Sequence, residues 1–205
     1  MFMRALLLFS CLSLSLPVLS SDGAAIYTGQ CVVCHGAKGE GSLALSGPAL
    51  AGQSEAYIAR QLNNFKSGLR GKAEGDALGM QMAAISAGLS DQDQVAVSQY
   101  LAQLPMVSVK SDAAAADLKQ GEKLYQSYCG SCHGSDASGN DALNSPNLRL
   151  LSAPFLAAQY AKFLNGQRGY EKADKFGRQM SMMARAMAEP ADLEAVIAYI
   201  HSLNP

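Results

Sequence analysis

One short pattern recurs in this chain at a fixed interval: Cys31-Val-Val-Cys34-His35 is followed 98 residues later by Cys129-Gly-Ser-Cys132-His133. The interval extends well beyond the pattern. Gly23 and Gly121, Tyr27 and Tyr125, Pro48 and Pro146, Gln61 and Gln159, Phe65 and Phe163, Arg70 and Arg168, Gly79 and Gly177, and Met82 and Met180 keep the same separation. Past one extra residue near Pro190 the interval becomes 99, which pairs Tyr100 with Tyr199 and Leu104 with Leu203. Self-similarity sustained over such a length is a tandem duplication, so the two copies share one fold.

Between the copies, residues 105–116 carry Pro105, scattered polar side chains and the run Ala113–Ala116, and read as a linker. That leaves a first domain over 21–104 and a second over 117–205. Units of about 85 to 90 residues bury a modest core and commonly need a staple.

The cysteine pattern supplies the staple. C-x-x-C-H is the signal for covalent haem c attachment. Two thiols one helical turn apart can form thioethers to the two vinyl groups, and the adjacent imidazole then reaches the iron. A thioredoxin-like pair or half a zinc site shares the pattern. Both are disfavoured by its appearing twice at equal phase, and a zinc site would need further ligands, of which His201 is the one histidine outside the motifs. The reading is two haem c groups, bound through Cys31 and Cys34 and through Cys129 and Cys132, with His35 and His133 as axial ligands. His201, whose counterpart is Ala102, reads as a solvated residue on the last helical turn.

The sixth ligand separates an electron carrier from a haem that binds small molecules, because His/Met ligation closes the iron and raises its potential. Met82 follows His35 by 47 residues and Met180 follows His133 by 47. These are the axial candidates, with Met80 competing in the first copy and Met182 and Met183 in the second. Pro48 and Pro146 each follow their histidine by 13 residues, and their carbonyls would accept the other ring N–H. Arg70 and Arg168, each closing an F-x-x-G-x-R segment, would neutralise haem propionates.

Residues 1–20 place Arg4 before an apolar run from Ala5 to Leu19 and close on Val18-Leu19-Ser20, which reads as a secretory signal peptide. The run is shorter than the ~20 residues of a membrane span, so a retained anchor is the weaker reading. Cleavage removes Cys11 and leaves the four motif cysteines; a lipid-modified Cys11 is a minor alternative. Lys and Arg number 16 against 17 Asp and Glu, so the basic excess of a nucleic-acid binder is missing.

Hydrophobic spacing is helical throughout. Ile58, Leu62 and Phe65 form a stripe after Ser54, a plausible N-cap. Ser90 to Asp93 reads as a capping sequence before Val97, Tyr100, Leu101 and Leu104. Pro190 opens the matching helix of the second copy, with Leu193, Val196, Ile197, Ile200 and Leu203 as its stripe. Gly23 and Gly121 should let the first and last helices of each copy approach closely, with Tyr100 and Tyr199 as partners. The fold class is all-α, two tandem units each wrapped around one haem.

The set Gly-x-x-x-Tyr-x-x-x-Cys-x-x-Cys-His-Gly, then Gly47 to Gln53, Tyr57, Gln61-Leu62, Phe65-x-x-Gly68-x-Arg70, and Met82 with Leu89-Ser90-Asp91-x-Asp93, resembles the di-haem cytochrome c4 family over the whole mature chain. The resemblance implies two class I cytochrome c domains with His/Met ligation at both haems. It also implies a periplasmic carrier, often loosely membrane-associated, that donates electrons to a terminal oxidase. The second copy departs from the pattern at Leu150-Leu151 and at Met187-Ala188-Glu189. The expected function is one-electron transfer between redox protein partners, without a small-molecule substrate or nucleic acid. The alternatives are the cytochrome subunit of a flavin-dependent, sulfide-type dehydrogenase, and a di-haem peroxidase or thiosulfate dehydrogenase, which would need an open sixth position.

Overall fold

The structure is a computed structural model and describes residues 21–107, 117–187 and 189–204. The expectations for the leader, for Cys11 and for most of the linker lie outside the described residues. The described residues are helical and contain no strand, apart from two isolated bridges, Ser42 to Gly47 and Asn140 to Ser145, which occupy equivalent loops.

Each unit contains the same five helices. In the first they are α1 (Gly23–Gln30), α2 (Val32–His35), α3 (Glu55–Ser67), α4 (Ala77–Ala87) and α5 (Asp91–Gln103). In the second they are α6 (Leu118–Tyr128), α7 (Gly130–His133), α8 (Ala153–Leu164), α9 (Lys175–Ala186) and α10 (Pro190–Ser202). Side-chain caps start most of them. Ser54 accepts from the Tyr57 amide, and Ser90 and Asp93 form a reciprocal capping box. Asp76 and Asp174 cap α4 and α9 by accepting from Gly79 and Gly177. Pro190 stands at the first turn of α10, where its missing N–H costs nothing.

The first and last helices of each unit cross at the expected glycines. A methyl at Gly23 would collide with the Ala96 carbonyl, and one at Gly121 with the Ala195 carbonyl. The close crossing packs Tyr27 against Tyr100 in a tilted pair, ring centroids 5.7 Å apart, and Tyr125 against Tyr199 likewise at 5.6 Å. Around these pairs the cores form: Ile58, Val97 and Leu101 with Tyr27, and Met187, Val196 and Ile200 with Tyr125.

His201 is not solvated. It is 3% exposed, and its Nε2 donates to the Leu151 carbonyl at 2.9 Å, tying α10 to the loop before α8. Its Nδ1 is buried without a partner. The expectation rested on the absence of a counterpart in the first copy, whereas the bond that buries His201 spans 50 residues of sequence.

Candidate haem-binding sites

Each site is built on a single helical turn. α1 ends where the Cys31 amide bonds to the Tyr27 carbonyl, and α2 ends at Gly36, whose φ of 81° suits glycine. This short turn brings Cys31, Cys34 and His35 together, and α7 does the same for Cys129, Cys132 and His133. None of the four cysteines is in a disulfide. The Tyr27 hydroxyl donates to the Gly36 carbonyl at 2.5 Å and the Tyr125 hydroxyl to the Gly134 carbonyl at 2.6 Å, clamping the exit of each motif.

His35 Nδ1 lies 2.8 Å from the Pro48 carbonyl and His133 Nδ1 lies 3.2 Å from the Pro146 carbonyl. A carbonyl only accepts, so the proton is on Nδ1 and the lone pair on Nε2 is free for a metal. Burial lowers the pKa of both rings, which favours the neutral, ligating form.

A cavity of about 280 Å³ opens beside the first motif. Cys31, Cys34 and His35 line it together with Pro48, Ile58, Leu62, Phe65, Ile85, Val97 and Met82. Met80 is not among the lining residues and is 48% exposed. In the second unit Met182 is 60% exposed, while Met180 and Met183 are half-buried.

Arg70 and Arg168 meet at the junction of the units. Arg70 donates to Gln61 Oε1 at 2.6 Å and to Gln159 Oε1 at 2.9 Å. Arg168 donates to Gln159 Oε1 at 3.0 Å and to Gln61 Oε1 at 2.9 Å, which closes a four-membered ring across the interface. Each guanidinium also lies over the phenylalanine five residues before it, Phe65 or Phe163, at 4.4 Å. Neither arginine has a carboxylate partner among the described residues. Burial and the neighbouring Arg168 charge push the pKa of Arg70 down to about 9. Two like charges with no carboxylate in contact, only Asp76 and Asp174 at longer range from Arg70, call for anions, and the propionates of a haem seated in the apolar cavity would supply them. The thiol pair, the oriented imidazole, the apolar lining and this cationic edge all fit haem c.

Sequence reasoning missed a group of residues that one unit lends to the other. Leu151, Phe155, Ala158, Gln159 and Lys162 of the second unit line the first unit's cavity. Gln53, 1% exposed, donates to the Asn147 carbonyl at 2.7 Å and accepts from the Asn147 amide at 3.0 Å. Arg60 donates to the Asn144 carbonyl at 2.6 Å, stacks 4.5 Å above the Phe176 ring, and leaves its Nε buried without a partner. The available signal was divergence: Gln53, Arg60 and Asn64 align with Leu151, Ala158 and Lys162, so the polar residues fall where the copies differ.

The family model for cytochrome c matches residues 20–105 and again residues 118–204, so the chain is a tandem c-type cytochrome. Cytochrome c4 of Stutzerimonas stutzeri is 32% identical over 85% of this chain and 84% of its own length. A protein named thiosulfate dehydrogenase electron acceptor, from S. stutzeri strain A1501, is 30% identical over 94% of this chain and 91% of its own. Among solved structures, reduced recombinant cytochrome c4 from Pseudomonas stutzeri superposes with a TM-score of 0.70 at 30% identity, covering 87% of this chain and 95% of that one. The chain belongs to the di-haem cytochrome c4 family, with two haem c groups and an electron-transfer role.

Proposed function

We propose that this chain is a periplasmic electron carrier that takes single electrons from one redox protein and delivers them towards a terminal oxidase. A bound haem c supplies a one-electron Fe(III)/Fe(II) couple. In this reading Cys31, Cys34, Cys129 and Cys132 hold the two groups covalently. His35 and His133, oriented by Pro48 and Pro146, would ligate the two irons together with Met82 and Met180. Arg70 and Arg168 neutralise propionates at the junction. Residues 1–20 are an export leader, and the two domains span 21–104 and 117–205. Among the described residues no helix is long and apolar enough to cross a membrane, and loose attachment to a membrane surface is part of the proposal.

The observation that carries the reading is the first cavity, where Met82 lines the same apolar space as an imidazole whose Nε2 is left free, while Met80 faces solvent. Methionine there closes the iron to exogenous ligands and disfavours a peroxidase or dehydrogenase activity within this chain. The test is spectroscopic. Pyridine haemochrome analysis is expected to give two haems per chain, and the oxidised protein two low-spin His/Met signals. Met82→Ala should abolish the sulfur-to-iron absorption band of one haem, whereas Met80→Ala leaves both. A high-spin signal at neutral pH in the unmodified protein would overturn the closed-iron reading.

A second reading has a specific observation behind it: a relative covering nearly all of this chain is named as the electron acceptor of thiosulfate dehydrogenase. Under that reading the carrier chemistry is unchanged and the donor is a dehydrogenase. Mixing the oxidised chain with such an enzyme and thiosulfate separates the two, through reduction of both haems at a catalytic rate or its absence. A flavin-dependent sulfide-type donor is tested by pull-down and flavin assay.

A further inference from the structure

The helices that carry the two methionine candidates, α4 and α9, are copies of one element with different outer faces. α4 turns Ala77, Met80, Ala84 and Ala87 to solvent and has no charged residue along its length. At the equivalent positions α9 turns out Lys175, Arg178, Met182 and Arg185, and it has no acidic residue. Steps of three and four residues align these four side chains on one stripe.

Lys175 lies 5.6 Å from the centre of the Phe176 ring, but the three cations have no carboxylate partner among the described residues. Their neighbours do not neutralise them: Glu171 and Lys172 before the helix cancel each other, Asp174 is buried at the N-cap, and Glu189 lies past the C-terminus, beyond the buried Met187. Lys175 and Arg178, three residues apart on the helix, repel, and α4 demonstrates that the helix is built without charge on this face. In the middle of the stripe Met182 is 60% exposed, an apolar contact flanked by charge, as at the centre of a protein interface. The inner side of the same helix carries the half-buried Met180, so a molecule on the stripe is about one helix width, ~10 Å, from the second haem site.

We propose that the outer face of α9 is the docking surface for an acidic redox protein, which exchanges electrons with this chain through the second haem. The inference rests on the electron-carrier reading. The exchange moves one electron and neither a proton nor a bond: the second centre passes from ferrous to ferric as the partner's centre gains the electron. A lipid surface would favour the outer face of α4, which is uncharged and apolar apart from the exposed Gln81. Opposite charge on the partner steers encounter and sets a salt-dependent on-rate.

The test uses the full di-haem protein and oxidised plastocyanin, an acidic one-electron copper protein, as the probe. Reduced chain is mixed with it in a stopped-flow instrument at rising ionic strength. The unmodified chain is expected to react fastest at low salt. The variant Lys175→Gln/Arg178→Gln/Arg185→Gln should react about tenfold more slowly at low salt and lose most of the salt dependence. The charge-conserving variant Lys175→Arg/Arg178→Lys/Arg185→Lys should behave as the unmodified chain. Haem content and ligand-field spectra check that all three are intact. Equal rates in the charge-removed and unmodified chains overturn the proposal. So does loss of sedimentation with phosphatidylglycerol vesicles, or loss of self-association, as the variant's sole defect. Failure of the unmodified chain to reduce the probe at any salt would instead overturn the carrier reading itself.

Discussion

The ammonium of Lys162 lies 2.5 Å from Asp76 Oδ1, an ion pair that joins the second unit to the first with 18% and 3% of the two side chains exposed. The same two positions face each other a second time across the interface, where Asn64 replaces the lysine and donates to Asp174 at 3.5 Å. One crossing is an ion pair, and in the other the carboxylate meets an uncharged amide. Lys162→Met strands a buried carboxylate and should destabilise the protein by about 3 kcal/mol, whereas Lys162→Met with Asp76→Asn should recover most of that loss, since asparagine still caps α4. Urea unfolding of the three proteins measures both; an additive double mutant would deny the coupling.

Arg60 sits over Phe176 and reaches the second unit's loop with one nitrogen unpartnered. A positive charge near a haem favours the ferrous state, so Arg60→Gln should lower the potential of the second haem. The expected shift is roughly 30 to 60 mV, the larger figure being a tenfold change for a one-electron couple. Arg60→Lys should retain most of the unmodified potential. Spectroelectrochemical titration reads both haems at once, and an equal shift of the two would show that Arg60 acts on the junction as a whole.

Gly39 has a φ of 73°, and its counterpart Ala137 takes the same left-handed form at 62° while fully buried. Gly39→Ala should destabilise by about 1 to 2 kcal/mol, from the left-handed backbone and a contact with Ala51 at 3.0 Å. Ala137→Gly should be close to neutral, because relief of about 1 kcal/mol of backbone strain is offset by losing a buried methyl worth about 0.8. Chemical denaturation distinguishes the two outcomes.

Burial pushes the Tyr27 hydroxyl up to about 12, against about 10 for an unfolded tyrosine. Above pH 10 the unfolded chain releases this proton while the folded chain keeps it. The folded state then binds more protons, so its stability falls as pH rises from about 10 to about 12. Tyr27→Phe should flatten that decline while costing about 1 kcal/mol at pH 7 for the lost bond to Gly36. Identical slopes in the two proteins would rule this origin out.

Much of each unit could be read from the sequence because its determinants repeat. Gly23 and Gly121 need close helix contact, Pro48 and Pro146 stand at one distance from their histidines, and the cysteines share one turn. Every such feature appears twice at matched positions in the two copies. What joins the units escaped, for the opposite reason: Gln53, Arg60 and Lys162 are unmatched between the copies, and their partners are 84 to 94 residues away. His201 failed in the same way, since its partner is the distant Leu151 carbonyl. Arg70 and Arg168 were recognised singly, but their closure through Gln61 and Gln159 follows only from the packing of one unit on the other.

That closed ring has a consequence for how the duplicated chain can change over time. Each glutamine serves both arginines, so neither half can lose its member without stranding a charge in the other. The halves are free to diverge on their outer faces, as α4 and α9 have done, while at their shared seam they are bound to one another as an obligate couple that neither gene segment can leave alone.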